Sequence, residues 1–381
     1  MLDINFIRQN PEKVKEGVQK KNVNPKLVDK FLRLDEEWRI KTTALDQLKA
    51  EQNRLNKELG THQTKDAISR AQIIKKRVKE VSDARENLKI KRDEILQSLP
   101  NLPFDDVPVG DLSAAKIVKE WGEKPKLNFK PRDYLTLAET LGLIDIKKAS
   151  QIAGSRFGYL LKDAARLEFA LLKLAMDVLI ENGFTPVVPP VMIRPKVFEG
   201  MGRLATDQKD ERYYLAKDDL YLVGSAEHTL GPLHMNEILE DKTLPRRYVG
   251  FSTCFRREAG SYGKDTKGIL RVHQFDKIEM FSFSRPKDSE KEHEFLLSLQ
   301  EKLMQRLKLP YRIVLIPTGE MGFTDAKQYD LETWLPGSGE YRETHSCSNT
   351  TDFQARGINV KYANGNNENE YVHLLNATAF A

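Results

Sequence analysis

The sequence predicts an α+β chain: a long antiparallel helical hairpin (a coiled coil) at the N-terminus, followed by an antiparallel β-sheet domain flanked by helices. Three observations predict it. Two segments of a little over thirty residues each carry an apolar repeat of 3.5 residues. The stretch 100–112 (PNLPFDDVPVGDL), with three prolines, ends that pattern. Beyond it, short apolar runs such as Tyr248–Phe251 and Tyr311–Ile316 alternate with Gly/Pro punctuation and with helical stretches such as Ala164–Ile180.

The first repeat runs Leu27, Phe31, Leu34, Trp38, Lys41, Leu45, Leu48, Gln52, Leu55, Leu59, and eight of the ten positions are apolar. The second runs Ala67, Ala71, Ile74, Val78, Val81, Arg85, Leu88, Arg92, Ile95, Leu99, again with eight apolar positions. A short polar connection, 60–66, forces the two helices to run antiparallel. An arm with one narrow seam is wet over most of its surface, which suits either an extended partner or a dimerisation coiled coil. The domain boundary is placed in the proline-rich linker, dividing 1–105 from 106–381.

Composition narrows the class. The 381 residues are 31% charged and 40% hydrophobic, with a mean hydropathy of −0.54. No run approaches the ~18 apolar residues of a spanning helix. Asp3 and Arg8 interrupt the only apolar stretch near the N-terminus, so no signal-peptide core is expected there. Two cysteines make neither a disulfide framework nor a four-cysteine zinc site. These features lead to the expectation of a soluble cytoplasmic protein. Residues 26–99 carry 18 basic and 13 acidic side chains, while the remainder is balanced at 43 of each. The whole positive surplus sits on the arm, consistent with a polyanionic partner or with a solvated helical surface.

The stretch 251–280, FSTCFRREAGSYGKDTKGILRVHQFDKIEM, reads as strand, long glycine-containing loop, strand. Arg256 and Glu258, two apart, are expected on one face of the first strand, and Phe275 and Glu279, four apart, on one face of the second. A guanidinium suits a phosphate, a carboxylate accepts from an amino group, and an aromatic ring stacks on a base. The same spacing also fits a surface ladder of ion pairs on an antiparallel sheet.

FRREAGSYGKDTKGILRVHQFDKIE resembles motif 2 of class II aminoacyl-tRNA synthetases, in the form found in seryl-tRNA synthetases. MLDINFIRQNPEKVKEG, LPNLPFDDVPVG, GFTPVVPPVM, VGSAEHTL and YDLETWLPGSGEYRETHSCSNTTDFQAR follow the family's order, so the resemblance covers nearly the whole chain. It implies a class II catalytic domain, ATP with Mg²⁺ as cofactor, L-serine as substrate, tRNA(Ser) and also tRNA(Sec) as partners held by the arm, and a homodimer.

The resemblance also implies roles. Arg256 would hold the α-phosphate of ATP and the carboxylate of serine, with Arg257 beside it. Glu258 would read the adenine amino group, Phe275 would stack on the ring, and Val272 would lie beside the nucleotide. Glu343 would sit at the ATP and Mg²⁺ site, lined by Thr344, His345 and Ser346. Ser225-Ala226-Glu227 matches the family's Thr-x-Glu serine-binding motif. Glu279 would accept the serine hydroxyl, and Asn376 and Thr378 would close the pocket. Tyr262, Lys264 and Lys267, in the motif 2 loop, would suit the end of an RNA acceptor stem. Pro186, Pro189 and Pro190 fall in motif 1, which builds the dimer interface, although they would equally make a stiff loop.

Several positions depart from the family. Ser225 stands where threonine is usual, and Phe104 and Arg132 stand where histidine is frequent. The chain stops at HLLNATAFA, before the glycine-arginine motif 3, so the resemblance implies a catalytic domain truncated at its C-terminus. A catalytically inactive RNA- or protein-binding homologue is the alternative that this ending supports. An amino acid:carrier-protein ligase on the same catalytic fold would lack the arm.

Overall fold

The computed structural model describes residues 1–61, 64–204, 209–259, 268–365 and 368–381. The chain divides into two compact units, Leu2–Pro100 and Asn101–Ala381, the second including Met1. The division falls a few residues before the expected 105/106, because Asn101 and Phe104 are already bound into the second unit. The Asn101 amide donates to the carbonyls of Thr324 and Thr350, each at 2.9 Å, and the Phe104 N–H donates to that of Ala326 at 2.9 Å.

In the first unit two short helices, α1 (Ile4–Gln9) and α2 (Pro11–Lys20), precede the hairpin of α3 (Lys26–Thr61) and α4 (Lys65–Gln97). Asp3 caps α1 by accepting from the N–H groups of Asn5 and Phe6, and Pro11 occupies the first turn of α2, where its missing N–H costs nothing. The turn is shorter than expected: Gly60 and Thr61 continue α3, and Thr64 caps α4 by accepting from Ala67 N–H at 3.2 Å. The seam is the predicted one, with Phe31, Leu45, Leu55, Ile74 and Leu99 buried along it.

One polar cluster interrupts that seam. Asp35 has a fully buried side chain and accepts from Arg8 Nε at 2.8 Å, with Arg39 at 3.2 Å and Arg92 at 3.5 Å. Arg92, which the heptad count places on the seam, lays its guanidinium over the Trp38 ring at 4.4 Å. A buried carboxylate met by three guanidiniums resists a slip of α4 along α3, since a slip would leave charge unpaired.

The second unit is built on one eight-stranded sheet. In chain order its elements are β1 (Lys116–Trp121), α5 (Asp163–Glu181), β2 (Thr185–Val187), the one-turn helix α6 (Glu227–Leu230), β3 (Arg246–Phe255), β4 (Gln274–Ser284), α7 (Ser289–Leu307), β5 (Tyr311–Leu315), β6 (Lys327–Leu335), β7 (Glu340–Asn349) and β8 (His373–Phe380). The strands lie in the order β1-β5-β6-β7-β8-β4-β3-β2. All neighbours are antiparallel except β2, which pairs parallel to β3 at the edge.

Helices α5 and α7 cover one face of the sheet. Leu179, Val178, Leu299 and Leu303 from the helices meet Met280, Leu331, Cys347 and Ala377 from the strands in one core. The opposite face is apolar at one end, where Leu230, Phe281, Phe283 and Leu374 pack. At the other end it is polar. Trp121 stacks on Tyr311 at 5.5 Å and Trp334 packs edge-on against Tyr341 at 5.2 Å, so both are packing residues.

Asp35→Ala is expected to destabilise the arm by roughly 2 kcal/mol, because Arg8 loses both of its hydrogen bonds to the acid and Arg92 keeps only Asp93. Hydrogen exchange of the α3 and α4 amides in the full chain should accelerate accordingly, while amides of β4 and β8 keep their protection.

Candidate active site

The polar end of the open sheet face is set by strand alternation. On β4, Phe275, Lys277 and Glu279 point to that face and Asp276, Ile278 and Met280 to the helices. The expected pairing of Phe275 with Glu279 is therefore found. Glu279 has no exposed surface, and its carboxylate meets Lys277 Nζ at 2.6 Å. Burial pushes the Glu279 pKa up, to about 7, against the pull of Lys277. Its Oε1 is buried with no hydrogen-bond partner among the described residues. Directly across from it, β3 presents Gly250 and β8 presents Thr378.

The segment 224–228 closes over this acid. Ser225 Oγ accepts from Lys277 Nζ at 3.3 Å and from the Glu227 N–H at 3.4 Å. Glu227, first residue of α6, is paired with Arg203 at 2.6 Å. Burial opposes its ionisation, but Arg203, His228 and Lys277 outweigh burial and hold its carboxyl well below the usual range. Burial also pushes the His228 pKa down, to about 3, so the ring is neutral. Its Nδ1 accepts from Gly224 N–H at 3.1 Å, which leaves the proton on Nε2 to donate to Glu227 at 3.3 Å. Ala226 differs from its neighbours: it is fully buried among Leu230, Phe281 and Leu374, so its methyl belongs to the core.

The residues after β3 are placed differently from the expectation. The strand ends at Phe255, so Arg256 and Glu258 do not share a strand face. Arg256 turns back, its Nε donating to Gly224 O at 3.1 Å and its guanidinium lying 5.2 Å from the Phe275 ring. Glu258 adopts φ +53° and reaches the site through Arg271, at 2.5 Å. Arg257 points elsewhere, over Tyr213 at 5.5 Å. Likewise β4 begins only at Gln274, and Val272, before it, lines a groove beneath α5 together with Phe251 and Ile278. Tyr262, Lys264 and Lys267 lie outside the described residues.

On β7 a bulge decides which side chains reach the site. Leu331 pairs with His345 and Glu332 with Glu343, so Thr344 is the extra residue. The bulge brings Glu343 onto the open face beside Ser346. It also turns the next side chain away from the site. His345 is buried on the helix-covered face, opposite Leu331, with its ring 5.8 Å from Phe380. Burial pushes its pKa down, to about 4. It does not line the site. The Thr344 hydroxyl is occupied within the sheet, 2.7 Å from that of Thr333. Glu343 is exposed on the open face, and partial desolvation raises its pKa against the pull of Arg256 and Lys277.

Strands β7 and β8 are paired only from Cys347/Ala377 to Asn349/Leu375 and separate beyond. Gln300 of α7 fills the fork, its amide donating to the carbonyls of both Ser346 and Thr378 at 2.8 Å. The fork exposes Ser346 and Thr378, whose hydroxyls are 3.5 Å apart, to the face that carries Glu279. Asn376 is buried on the same face, and its Nδ2 has no hydrogen-bond partner among the described residues. An unpaired acceptor on Glu279 and an unpaired donor on Asn376 suit a hydroxyl group, which both donates and accepts.

Sequence reasoning missed five residues here. Lys277 and Arg203 are the counter-ions of Glu279 and Glu227, and Gln300 holds the fork. Arg271 carries Glu258. Asp330, buried beside Glu343, has a carboxyl raised well above its usual pKa, first by burial and then by Glu343. Lys277 alone had a sequence signal, since it lies between Phe275 and Glu279 at the same period of two. Among the described residues no three His, Cys, Asp or Glu side chains form a metal cage. A carboxylate on the open face such as Glu343 fits a cation held chiefly by substrate phosphates, as Mg²⁺ commonly is.

Comparison with known proteins agrees with this architecture. A family model described as the seryl-tRNA synthetase N-terminal domain matches residues 1–103, and one described as the tRNA synthetase class II core domain (G, H, P, S and T) matches residues 211–381. The chain is 43% identical to a serine–tRNA ligase of Pyrococcus horikoshii, over all of this chain and 90% of that protein, and 40% identical to one of Dictyoglomus turgidum, over all of this chain and 91% of that protein. Its structure is similar to the crystal structure of seryl-tRNA synthetase from Pyrococcus horikoshii complexed with ATP (TM-score 0.92, 42% identity, covering 100% of this chain and 92% of the other). It is also similar to a cytoplasmic serine-tRNA ligase from Naegleria fowleri in complex with AMP (TM-score 0.86, 34% identity, covering 100% and 90%). With both units matched in order and nearly all of each relative covered, the chain belongs to the seryl-tRNA synthetase (serine–tRNA ligase) family of class II aminoacyl-tRNA synthetases.

Proposed function

We propose that the chain activates L-serine with ATP and transfers it to tRNA(Ser), and to tRNA(Sec) where one exists. The observation that carries the reading is the pair of buried, unpartnered atoms Glu279 Oε1 and Asn376 Nδ2 on one sheet face, beside the acid–guanidinium pair Glu227–Arg203. Serine has the matching groups. Its ammonium is accepted by Glu227 and Ser225. Its hydroxyl donates to Glu279 and accepts from Asn376 or Thr378.

Serine's carboxylate attacks the α-phosphorus of ATP, forming seryl-adenylate and releasing pyrophosphate. The 3′-terminal ribose hydroxyl of tRNA then attacks the acyl carbon, breaking the acyl–phosphate bond and releasing AMP. The residues act by positioning and by offsetting charge. Arg256 sits against Phe275 so that its fork meets the α-phosphoryl oxygens while the ring stacks on the base. Glu258, held by Arg271, accepts from the adenine amino group. Mg²⁺ would be held by Glu343 with the phosphate oxygens, and when bound it neutralises phosphate charge. Ser346 lines the wall of the nucleotide site and Ala226 shapes the pocket through its backbone, while Arg257, turned to Tyr213, Val272, in the groove beneath α5, and Thr344, bonded within the sheet, stand outside it.

The unit Leu2–Pro100 is the tRNA-binding arm and Asn101–Ala381 the catalytic domain. The arm's surplus of lysine and arginine would follow a phosphate backbone rather than base edges. A homodimer is supported by exposed apolar side chains, Leu167 and Phe169 on α5 and Val188 beside the motif 1 prolines. No helix among the described residues is long and apolar enough to cross a membrane, consistent with a cytoplasmic enzyme.

Pyrophosphate exchange with a panel of amino acids tests the reading: serine alone should support it, and exchange with no amino acid, or equally with alanine, would refute it. Glu279→Ala should lower the preference for serine over alanine by roughly 10- to 100-fold. Deleting residues 28–98 should abolish charging of tRNA while leaving exchange largely intact.

The pH dependence follows from Glu279. Its carboxyl is neutral below about 7 and ionises above it, becoming the stronger acceptor. With serine subsaturating, kcat/KM should therefore rise between pH 6 and 8 with an apparent pKa near 7. The neighbouring histidines, His228 at about 3 and His345 at about 4, do not titrate there. Glu279→Gln should flatten the rise.

A further inference from the structure

We infer that Arg212 is a second guanidinium for the α-carboxylate of the amino acid, seated in the pocket by the absence of a side chain at Gly224. The inference rests on the serine chemistry proposed above and adds a residue to it.

Among the described residues, Arg212 stands apart from the other cations near the pocket, which each have an acid or carbonyl partner. Arg203 is bound to Glu227, Lys277 to Glu279, Arg271 to Glu258, and Arg256 to the carbonyl of Gly224. The Arg212 guanidinium instead lies 5.6 Å from the Phe198 ring, and its Nε is buried with no hydrogen-bond partner among the described residues. Burial first, then the like charges of Arg256 and Arg203, push its pKa down, to about 10, so it remains charged at neutral pH. A largely desolvated guanidinium facing two others is costly unless an anion joins them. Glu227 pulls on Arg212 through space, but Arg203 and His228 meet its Oε1 and its other oxygen is the one assigned to the serine ammonium.

Gly224 explains how the group fits. A Cβ built at residue 224 would stand 2.5 Å from Arg212 Nη1 and 3.4 Å from Arg256 Cγ. Any side chain there would displace the Arg212 fork. The two arginines thus flank Gly224, immediately before Ser225-Ala226-Glu227. An α-amino acid whose ammonium is held by Glu227 places its carboxylate one carbon away, toward these guanidiniums. The planar fork of arginine matches a carboxylate with two parallel hydrogen bonds. Arg256 is shared between carboxylate and α-phosphate, and Arg212 stays with the carboxylate.

Calorimetry on the full chain with three probes tests this: serine, ATP, and serinol, which keeps the ammonium and hydroxyl but lacks the carboxylate. Arg212→Met, which keeps the bulk over Phe198, should weaken serine roughly 10- to 100-fold and leave serinol and ATP within about twofold. Arg212→Lys should recover part of the loss. Gly224→Ala should reproduce the selective loss of serine with Arg212 still present, since only the flexible end of that side chain has to move. Unchanged serine affinity in Arg212→Met overturns the assignment. So does equal weakening of serine and serinol, which marks a collapsed pocket, or weakening of ATP alone, which marks a phosphate ligand. A wild-type chain that binds ATP but no serine overturns the proposed substrate, and this assignment with it.

Discussion

Glu279 and Lys277 meet at 2.6 Å on the same strand, the acid fully buried, and the rest of the pocket is arranged around that contact. Burying one carboxylate costs several kcal/mol unless a cation comes with it. Here a second acid, Glu227, is buried close by and raises the first. Arg203 and Lys277 each take one of them, so the pocket holds two neutralised pairs instead of two repelling acids. Gly250 opposite Glu279 on β3 leaves room for Leu230, whose Cδ1 would stand 2.8 Å from any added Cβ. The acid is thus pinned between a polar cluster and an apolar floor.

A regular sheet would not deliver the remaining groups. Strict alternation on β7 would send Glu343 to the helix face with His345, and the bulge at Thr344 reverses that. The separation of β7 from β8 beyond Cys347 then opens the face, and two carbonyls that the ladder no longer satisfies are taken by Gln300 from below. The cleft is therefore a local failure of strand pairing that a single buried amide makes tolerable.

Much of this was legible in the sequence, and the parts that were not share a cause. The heptad spacing located both arm helices and even placed Arg92 on the seam, because a 3.5 period is a property of the chain alone. The period of two likewise put Phe275 and Glu279 on one face. Where the backbone leaves a regular period the reasoning failed. Arg256 and Glu258 follow the end of β3, with Glu258 in the left-handed region. His345 sits one residue past a bulge. Counter-ions from distant segments, such as Arg203 for Glu227, carry no local signal, since their pairing is created only by the fold.

The two units treat their buried acids differently. In the arm, Asp35 is met by Arg8, Arg39 and Arg92, so the carboxylate is satisfied, and the buried unpartnered atoms there among the described residues, Trp38 Nε1 and Arg85 Nε, are isolated donors on the helices. In the catalytic unit, Glu279 Oε1, Asn376 Nδ2 and Arg212 Nε are buried without partners among the described residues. Each such atom has given up its water without replacing it, at a cost of roughly 1–3 kcal/mol. That cost is recovered only by a ligand bringing a donor to Glu279, an acceptor to Asn376 and an anion to Arg212. A small amino acid lacking the hydroxyl satisfies the last and leaves the first two exposed as a penalty, so discrimination arises from what the empty pocket lacks more than from the fit of its walls.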